Sequence, residues 1–148
     1  MQPPLTLTPF CAADAPEVAA LARRTLPEAW SEASFAALAD NSLARCLLAR
    51  RDGVLLGFAF LYLVADEGQI MEVATHPDAR RQGVARTLLC RLLADATDGG
   101  AMRFTLEVRA QNEAARALYT SLGFVEDGVR RHYYRNPTDD AVLMSRIG

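Results

Sequence analysis

No lysine occurs anywhere in the 148 residues, and all sixteen positive side chains apart from the histidines are arginine. We read that bias as genome composition, not mechanism. A basic excess is missing as well: eighteen carboxylates leave a formal charge of −2, which argues against a general nucleic-acid binder. No apolar stretch reaches the roughly 20 residues of a membrane-spanning helix. The longest, Val54 to Ala65, is interrupted by Gly57 and reads better as a strand. The opening Met1-Gln2-Pro3-Pro4 has neither the basic segment nor the long apolar core of a secretion signal. Cysteine is scarce. Cys11, Cys46 and Cys90 are odd in number and stand at no metal-ligand spacing, so no metal is expected. Cys46 and Cys90 fall in apolar runs and are expected to be inert core residues. A reducing cytoplasm suits these features. Repeats, low-complexity tracts and linkers are also missing, so one domain over 1–148 is expected.

Half of the residues are hydrophobic, and they recur with the periods of a folded body. Leu5 to Thr8 reads as a short opening strand. Asp14 can cap a helix carrying Val18, Leu21, Ala22 and Leu26, which Pro27 would end. Ser31 can cap a second helix through Phe35 and Leu38. Arg45 to Arg51 and Val54 to Ala65 flank Asp52-Gly53, a two-residue hairpin signal. Gln69 to Thr75 makes a third strand of this group, followed by a helix over 83–97 that Gly99-Gly100 stop. Arg103 to Arg109 is the next strand, and Asn112 caps a helix through Leu122 that Gly123 terminates. The chain closes with Phe124 to Glu126, a turn at Asp127-Gly128, Val129 to Tyr134, and Val142 to Ile147. This order predicts a mixed α/β sheet with helices on both faces.

The most informative stretch is Arg80-Arg81-Gln82-Gly83-Val84-Ala85. It follows a strand closed by Pro77 and opens a helix in which Val84, Ala85, Leu88, Leu89, Leu92 and Leu93 repeat at helical spacing. A strand, a tight glycine turn and a helix start aim several free N–H groups and a dipole at one spot. Such a spot can seat a pyrophosphate. The turn lacks the Gly-Lys-Ser/Thr ending of a P-loop and the three glycines of a dinucleotide fingerprint. What remains is a diphosphate site made of amides and two arginines. An ordinary strand-to-helix turn with a solvated arginine pair would look similar.

The spacing Arg80-x-x-Gly83-x-Ala85 resembles the Gln/Arg-x-x-Gly-x-Gly/Ala turn of the GCN5-related N-acetyltransferases. Further along, Leu106-Glu107-Val108-Arg109-Ala110-Gln111-Asn112 and Ala117-Leu118-Tyr119 with Ser121-Leu122-Gly123-Phe124 narrow the match. So do Arg130-Arg131-His132-Tyr133-Tyr134 and Asp140-Ala141-Val142-Leu143-Met144. These runs resemble the RimI-type ribosomal-protein alanine N-acetyltransferases, densely from about Gly68 to Met144. The resemblance implies a mostly antiparallel central sheet of about seven strands flanked by about four helices. It implies acetyl-CoA as acetyl donor, bound along Val73, Ala74, Thr75, Arg80, Arg81, Gln82, Gly83, Val84, Ala85 and Arg86, with Asn112 and Tyr119 nearby. The strand entering the glycine turn would diverge from its neighbour, so that main chain at Val73 and Thr75 holds the pantetheine arm and Val73 N–H polarises the thioester carbonyl.

Moving an acetyl group to an amine requires a neutral nucleophile, although an α-amino group of pKa about 8 is mostly protonated at neutral pH. It also benefits from a proton for the departing thiolate. Alternation in Phe104-Thr105-Leu106-Glu107-Val108 places Glu107 on the face opposite Phe104, Leu106 and Val108. A carboxylate there is costly unless used or paired; it is either a base or an ion-pair partner of Arg103 or Arg109. The resemblance favours the base. Tyr119 lies one step off the stripe 115, 118, 122, at a helix edge; the resemblance makes it the acid that protonates the CoA thiolate. Glu72 is a rival base, and His76 is expected to be a turn residue. His132, Tyr133 and Tyr134 are candidates for one wall of an acceptor groove, with Trp30 and Phe35 for the other, although packing alone would account for each.

The resemblance points to the N-terminal tail of a ribosomal protein as acceptor, the alanine of small-subunit protein eighteen, attacked directly in a ternary complex. A small-molecule amine (polyamine, aminoglycoside or amino acid) and a non-catalytic acyl-CoA-binding module remain as alternatives. No direct nucleic-acid or membrane partner is expected, and the chain should be a monomer or weak dimer. Gly83→Asp should abolish acetyl-CoA binding by steric blockage and charge repulsion; calorimetric titration with acetyl-CoA checks this.

Overall fold

The structure, a computed structural model, describes residues 3–26 and 30–148. The elements in chain order are β1 (Thr6–Pro9), α1 (Ala15–Thr25), α2 (Glu32–Leu38), β2 (Ala44–Arg51), β3 (Val54–Val64) and β4 (Glu67–Thr75). After them come α3 (Val84–Asp98), β5 (Arg103–Arg109), α4 (Glu113–Ser121), β6 (Val125–Tyr134) and β7 (Asp139–Ile147). The seven strands form one sheet in the order β1-β2-β3-β4-β5-β7-β6. All neighbours are antiparallel except β4 and β5. The expected mixed, mostly antiparallel α/β sheet with four helices is thus the observed architecture.

Each sheet face carries its own core. Helices α1 and α2 cover Leu48, Phe58 and Phe60 with Val18, Leu21 and Phe35. Helices α3 and α4 cover Leu61, Phe104 and Leu106 with Leu88, Leu92 and Tyr119. The β2–β3 hairpin turns through Asp52 (φ 53°) and Gly53 (φ 80°), both left-handed as a two-residue I′ turn requires. Ser31 caps α2, its Oγ accepting the Ser34 N–H at 3.1 Å.

Several local expectations give way to tertiary contacts. Asp14 stands at the N-cap of α1 without capping it. Its carboxylate accepts the Cys11 N–H at 3.0 Å and pairs with Arg50 at 3.2 Å, and Arg50 also grips Glu17 at 3.0 Å. A charged donor on β2 outbids the helix amides. Pro27, expected to end α1, lies outside the described residues; the helix stops at Thr25, and Leu26 is already extended. Cys90 is exposed, because Leu88, Leu89, Leu92 and Leu93 occupy the buried stripe of α3 and leave position 90 on the outer side. Cys46 is partly buried. Asp127-Gly128 is not a turn. Strand β6 runs on through it as a bulge: Glu126 faces Met144 and Gly128 faces Leu143, leaving Asp127 as the extra residue.

Two irregularities open the middle of the sheet. Strands β4 and β5 pair only from Glu67–Arg103 to Gln69–Thr105. Opposite β3, Ile70 faces Leu61 and Glu72 faces Phe60, so Met71 is an extra residue that bends β4 away from β5. Helix α3 seats its first turn beside this region because residue 57 has no side chain. A Cβ there would lie 2.8 Å from Ala74 O and 2.9 Å from Val84 Cγ1. Gly57→Ala should therefore cost about 1–3 kcal/mol by overpacking, read as a lowered urea midpoint without a change of slope.

Candidate active site

Past Gln69 and Thr105 the parted strands enclose a cavity of about 830 Å³. His76 N–H donates to Leu56 O at 2.7 Å. Antiparallel alternation then turns the Ala74 peptide groups toward β3 and those of Val73 and Thr75 toward the gap. Val73 lines the cavity, whereas the Ala74 side chain is buried under α1 and α2.

One wall belongs to α4. Asn112 caps the helix, its Oδ1 accepting the Ala115 N–H at 3.1 Å, and it also lines the cavity. Tyr119 does not lie at a helix edge: it is 8% exposed and is the one buried residue of α4. Residues 115, 118 and 122 flank it, each partly buried. Its ring meets Phe124 edge-on at 5.8 Å and lines the cavity. Burial, and secondarily the Tyr134 phenol, push the Tyr119 pKa far up, so its hydroxyl keeps its proton.

The other wall carries charge. Glu107 projects away from Leu106 and Val108, as alternation predicts, and pairs with Arg130 at 3.5 Å. Of the expected partners, Arg103 pairs with Glu67 at 3.5 Å, and Arg109 donates to Arg135 O at 3.0 Å and Pro137 O at 2.8 Å. Glu72, opposite Phe60, lies on the same sheet face as Glu107 and also lines the cavity. Its Oε2 is buried. Burial, with help from the Glu72 charge, raises the Tyr62 pKa. Burial and the carboxylates of Asp14 and Glu72 push the Cys46 thiol up to about 12.

Trp30, Tyr133 and Tyr134 line this wall. Trp30 packs on Phe60 at 5.1 Å and on Phe35 at 5.8 Å. Phe35 is fully buried beneath it and is no part of the groove. His132 also lies outside the cavity lining; it is left-handed (φ 54°), and its N–H donates to Asp140 Oδ1 at 2.9 Å. The irregular pairing between Arg130 and Tyr134 gives His132 this conformation.

The glycine turn adjoins β4. Unlike α2 and α4, helix α3 has no capping side chain and no acid in its first turn. Arg81 (φ 65°) and Gly83 (φ 79°) are both left-handed. The space where a Gly83 side chain would project is open. Arg80 and Arg81 are exposed. Val84 is buried and Ala85 partly so, which anchors the helix mouth. Gln82 is held from two sides, by Arg51 Nη1 at 2.8 Å and by Asp78 O at 3.3 Å. Arg86 donates to Ser121 Oγ, tying the start of α3 to the end of α4. His76 is a turn residue whose Nδ1 accepts the Asp78 N–H at 3.1 Å. These features fit a diphosphate-bearing acyl donor: unclaimed amides, exposed cations and room above a glycine. Sequence reasoning missed Arg51, Arg130 and the contacts of Arg109, because each depends on residues 26 to 48 positions away or on cross-strand register.

A sheet parted between two parallel strands, with an uncapped helix mouth beside the gap, defines an acyl-group transferase. The chain belongs to the acetyltransferase (GNAT) family, whose model matches residues 15–124; enzymes of this family take the acetyl group from acetyl-CoA. It is 36% identical over 144 residues to the ribosomal protein bS18-alanine N-acetyltransferase of Escherichia coli K12, covering 95% of each chain. It is 34% identical to the N-alpha-acetyltransferase RimI of Mycobacterium tuberculosis, covering 97% of this chain and 92% of that one. The crystal structure of the Escherichia coli ribosomal-protein-S18-alanine N-acetyltransferase superposes with a TM-score of 0.90 over 97% of this chain and 94% of that one, at 34% identity.

Three raised pKa values, those of Tyr119, Cys46 and Tyr62, set an alkaline limit. The stabilisation from keeping Tyr119 neutral is complete below the unfolded phenol value of about 10 and is lost as pH rises beyond it. Cys46 adds a component that starts near its ordinary value of 9.0. Thermal midpoints should fall above pH about 9. Tyr119→Phe should reduce the later part of the fall, to which Tyr62 also contributes, and Cys46→Ala should remove the earlier part, as followed by circular dichroism across pH.

Proposed function

We propose that this acetyltransferase acetylates the N-terminal α-amine of a protein, specifically the alanine that begins ribosomal protein bS18. The observation that carries the reading is the parted β4–β5 gap, in which Tyr119 and the carboxylates of Glu107 and Glu72 line one cavity from opposite walls. The names of the Escherichia coli and Mycobacterium tuberculosis relatives support the acceptor, since both are N-terminal acetyltransferases matched over nearly their whole length. The single sheet, built from strands at both ends of the chain, supports one functional unit over 1–148. A ribosomal acceptor places the enzyme in the cytoplasm, acting as a monomer or weak dimer on protein rather than on nucleic acid. Among the described residues no helix is long and apolar enough to cross a membrane.

In this reading the acyl donor lies along the free edge of β4, with its diphosphate over the amides of 83–86 and the charges of Arg80 and Arg81. The Val73 N–H, turned into the gap, polarises the thioester carbonyl. Glu107 takes the proton of the acceptor ammonium, directly or through one water, and leaves the neutral amine that attacks. Arg130, 3.5 Å from its Oε1, holds the Glu107 side chain in place at the cleft. Tyr119 gives its phenolic proton to the departing thiolate, and the second proton, lost by the acylated nitrogen as the amide forms, returns to the phenolate; burial keeps the phenol protonated until the thiolate appears. The acceptor end enters between Trp30 and the Tyr133–Tyr134 pair, whose rings meet at 5.1 Å.

A short alanine-starting peptide should be acetylated in preference to a panel of polyamines, aminoglycosides and free amino acids. Turnover of small amines alone would reject the peptide reading. Glu107→Gln and Tyr119→Phe should each lower kcat by about a hundredfold while calorimetric acetyl-CoA affinity is kept. Unchanged turnover in Glu107→Gln, together with a large loss in Glu72→Gln, would transfer the base role to Glu72.

A further inference from the structure

Arg109, the last residue of β5, reaches from the cleft to the turn that joins β6 and β7. Its Nη2 and Nη1 donate to Arg135 O at 3.0 Å and Pro137 O at 2.8 Å. Its guanidinium carbon lies 4.5 Å from the centroid of the Tyr134 ring. One planar group thus holds the main chain on the far side of Tyr134 and one face of its ring. Residues 135–138 are exposed, so the turn has little core beneath it to fix its place. On its far side the buried Asp139 accepts the Gln111 N–H at 3.1 Å and the Asp140 N–H at 2.8 Å. Gln111 directly precedes Asn112, the cap of the helix that carries Tyr119. Tyr134 and Tyr119 line the same cavity.

We propose that Arg109 is a positioning residue for the acceptor: it fixes Tyr134 in the cleft wall across from Tyr119, and so sets where the incoming peptide end lies relative to the acyl donor. The inference rests on the peptide-acceptor reading above. The chemistry requires arginine. Two carbonyls take parallel bonds from the fork while its flat face covers an aromatic ring, and an ammonium supplies neither geometry.

The test compares wild type, Arg109→Met, Arg109→Lys, Tyr134→Leu and the Arg109→Met/Tyr134→Leu pair, with acetyl-CoA and a short alanine-starting peptide as substrates. Arg109→Met should raise the peptide KM about tenfold and leave the acetyl-CoA KM within about twofold, with no rescue by Arg109→Lys. Tyr134→Leu, which keeps both carbonyl bonds, should show the same split, and the pair should be no worse than the poorer single variant. Backbone amide exchange over 134–138 should quicken in Arg109→Met and stay unchanged in α4. A peptide KM unaltered in Arg109→Met, or losses that multiply in the pair, would overturn the assignment. A wild-type chain inactive on the peptide would instead sink the acceptor reading. Exchange then decides alone: a quickened 134–138 segment supports the tether, and an unaltered one ends it.

Discussion

Everything at the site depends on two parallel strands that stop pairing. Beyond Gln69 and Thr105, β4 turns one row of peptide groups toward a gap where its neighbour has departed. Main-chain polar groups without partners are tolerated only where water or a ligand can reach them. The parting therefore creates, at the centre of an otherwise paired sheet, a linear acceptor and donor array that a pantetheine-like chain can satisfy. The extra residue at Met71 and the bare Cα of Gly57 cooperate in this, one by bending β4 and the other by letting α3 lie close against the sheet.

The cleft separates two electrostatic environments by the sheet itself. On the α4 side a buried ring, packed on Phe124, keeps a phenol neutral because water is excluded from it. On the other side Glu107, Arg130 and Arg103 remain partly exposed, so their charges are hydrated and cheap to maintain. Burial makes the Tyr119 phenol resist ionisation. The charged wall is held mostly by arginines on neighbouring strands, and the α4 wall by helix packing.

The sequence misplaced residues where one local signal competed with a distant partner. The stripe 115, 118, 122 did mark the inner side of α4, yet Tyr119 is its most buried member, since the large ring reaches Phe124 and the cavity together. Cys90 follows leucines without sharing their stripe. Asp127-Gly128 offered a turn, but the Met144 and Leu143 pairings on β7 absorb it as a bulge. Asp14 offered a cap and was claimed by Arg50, 36 residues away.

Hydrophobic period, the Asp52-Gly53 turn, the caps at Ser31 and Asn112 and the glycine turn at 80–85 are local, and from them the elements, the mixed sheet and the family resemblance were legible before any coordinates. Alternation alone also put Glu107 on the face opposite Leu106. What the chain could not disclose by itself was which side chains meet. The gap between β4 and β5, the Arg130–Glu107 pair, the Arg109 tether and the depth of Tyr119 arise from register between strands far apart in sequence. Register is decided when two buried faces pack together, because only then does burial choose among pairings that the chain, read locally, leaves nearly equal.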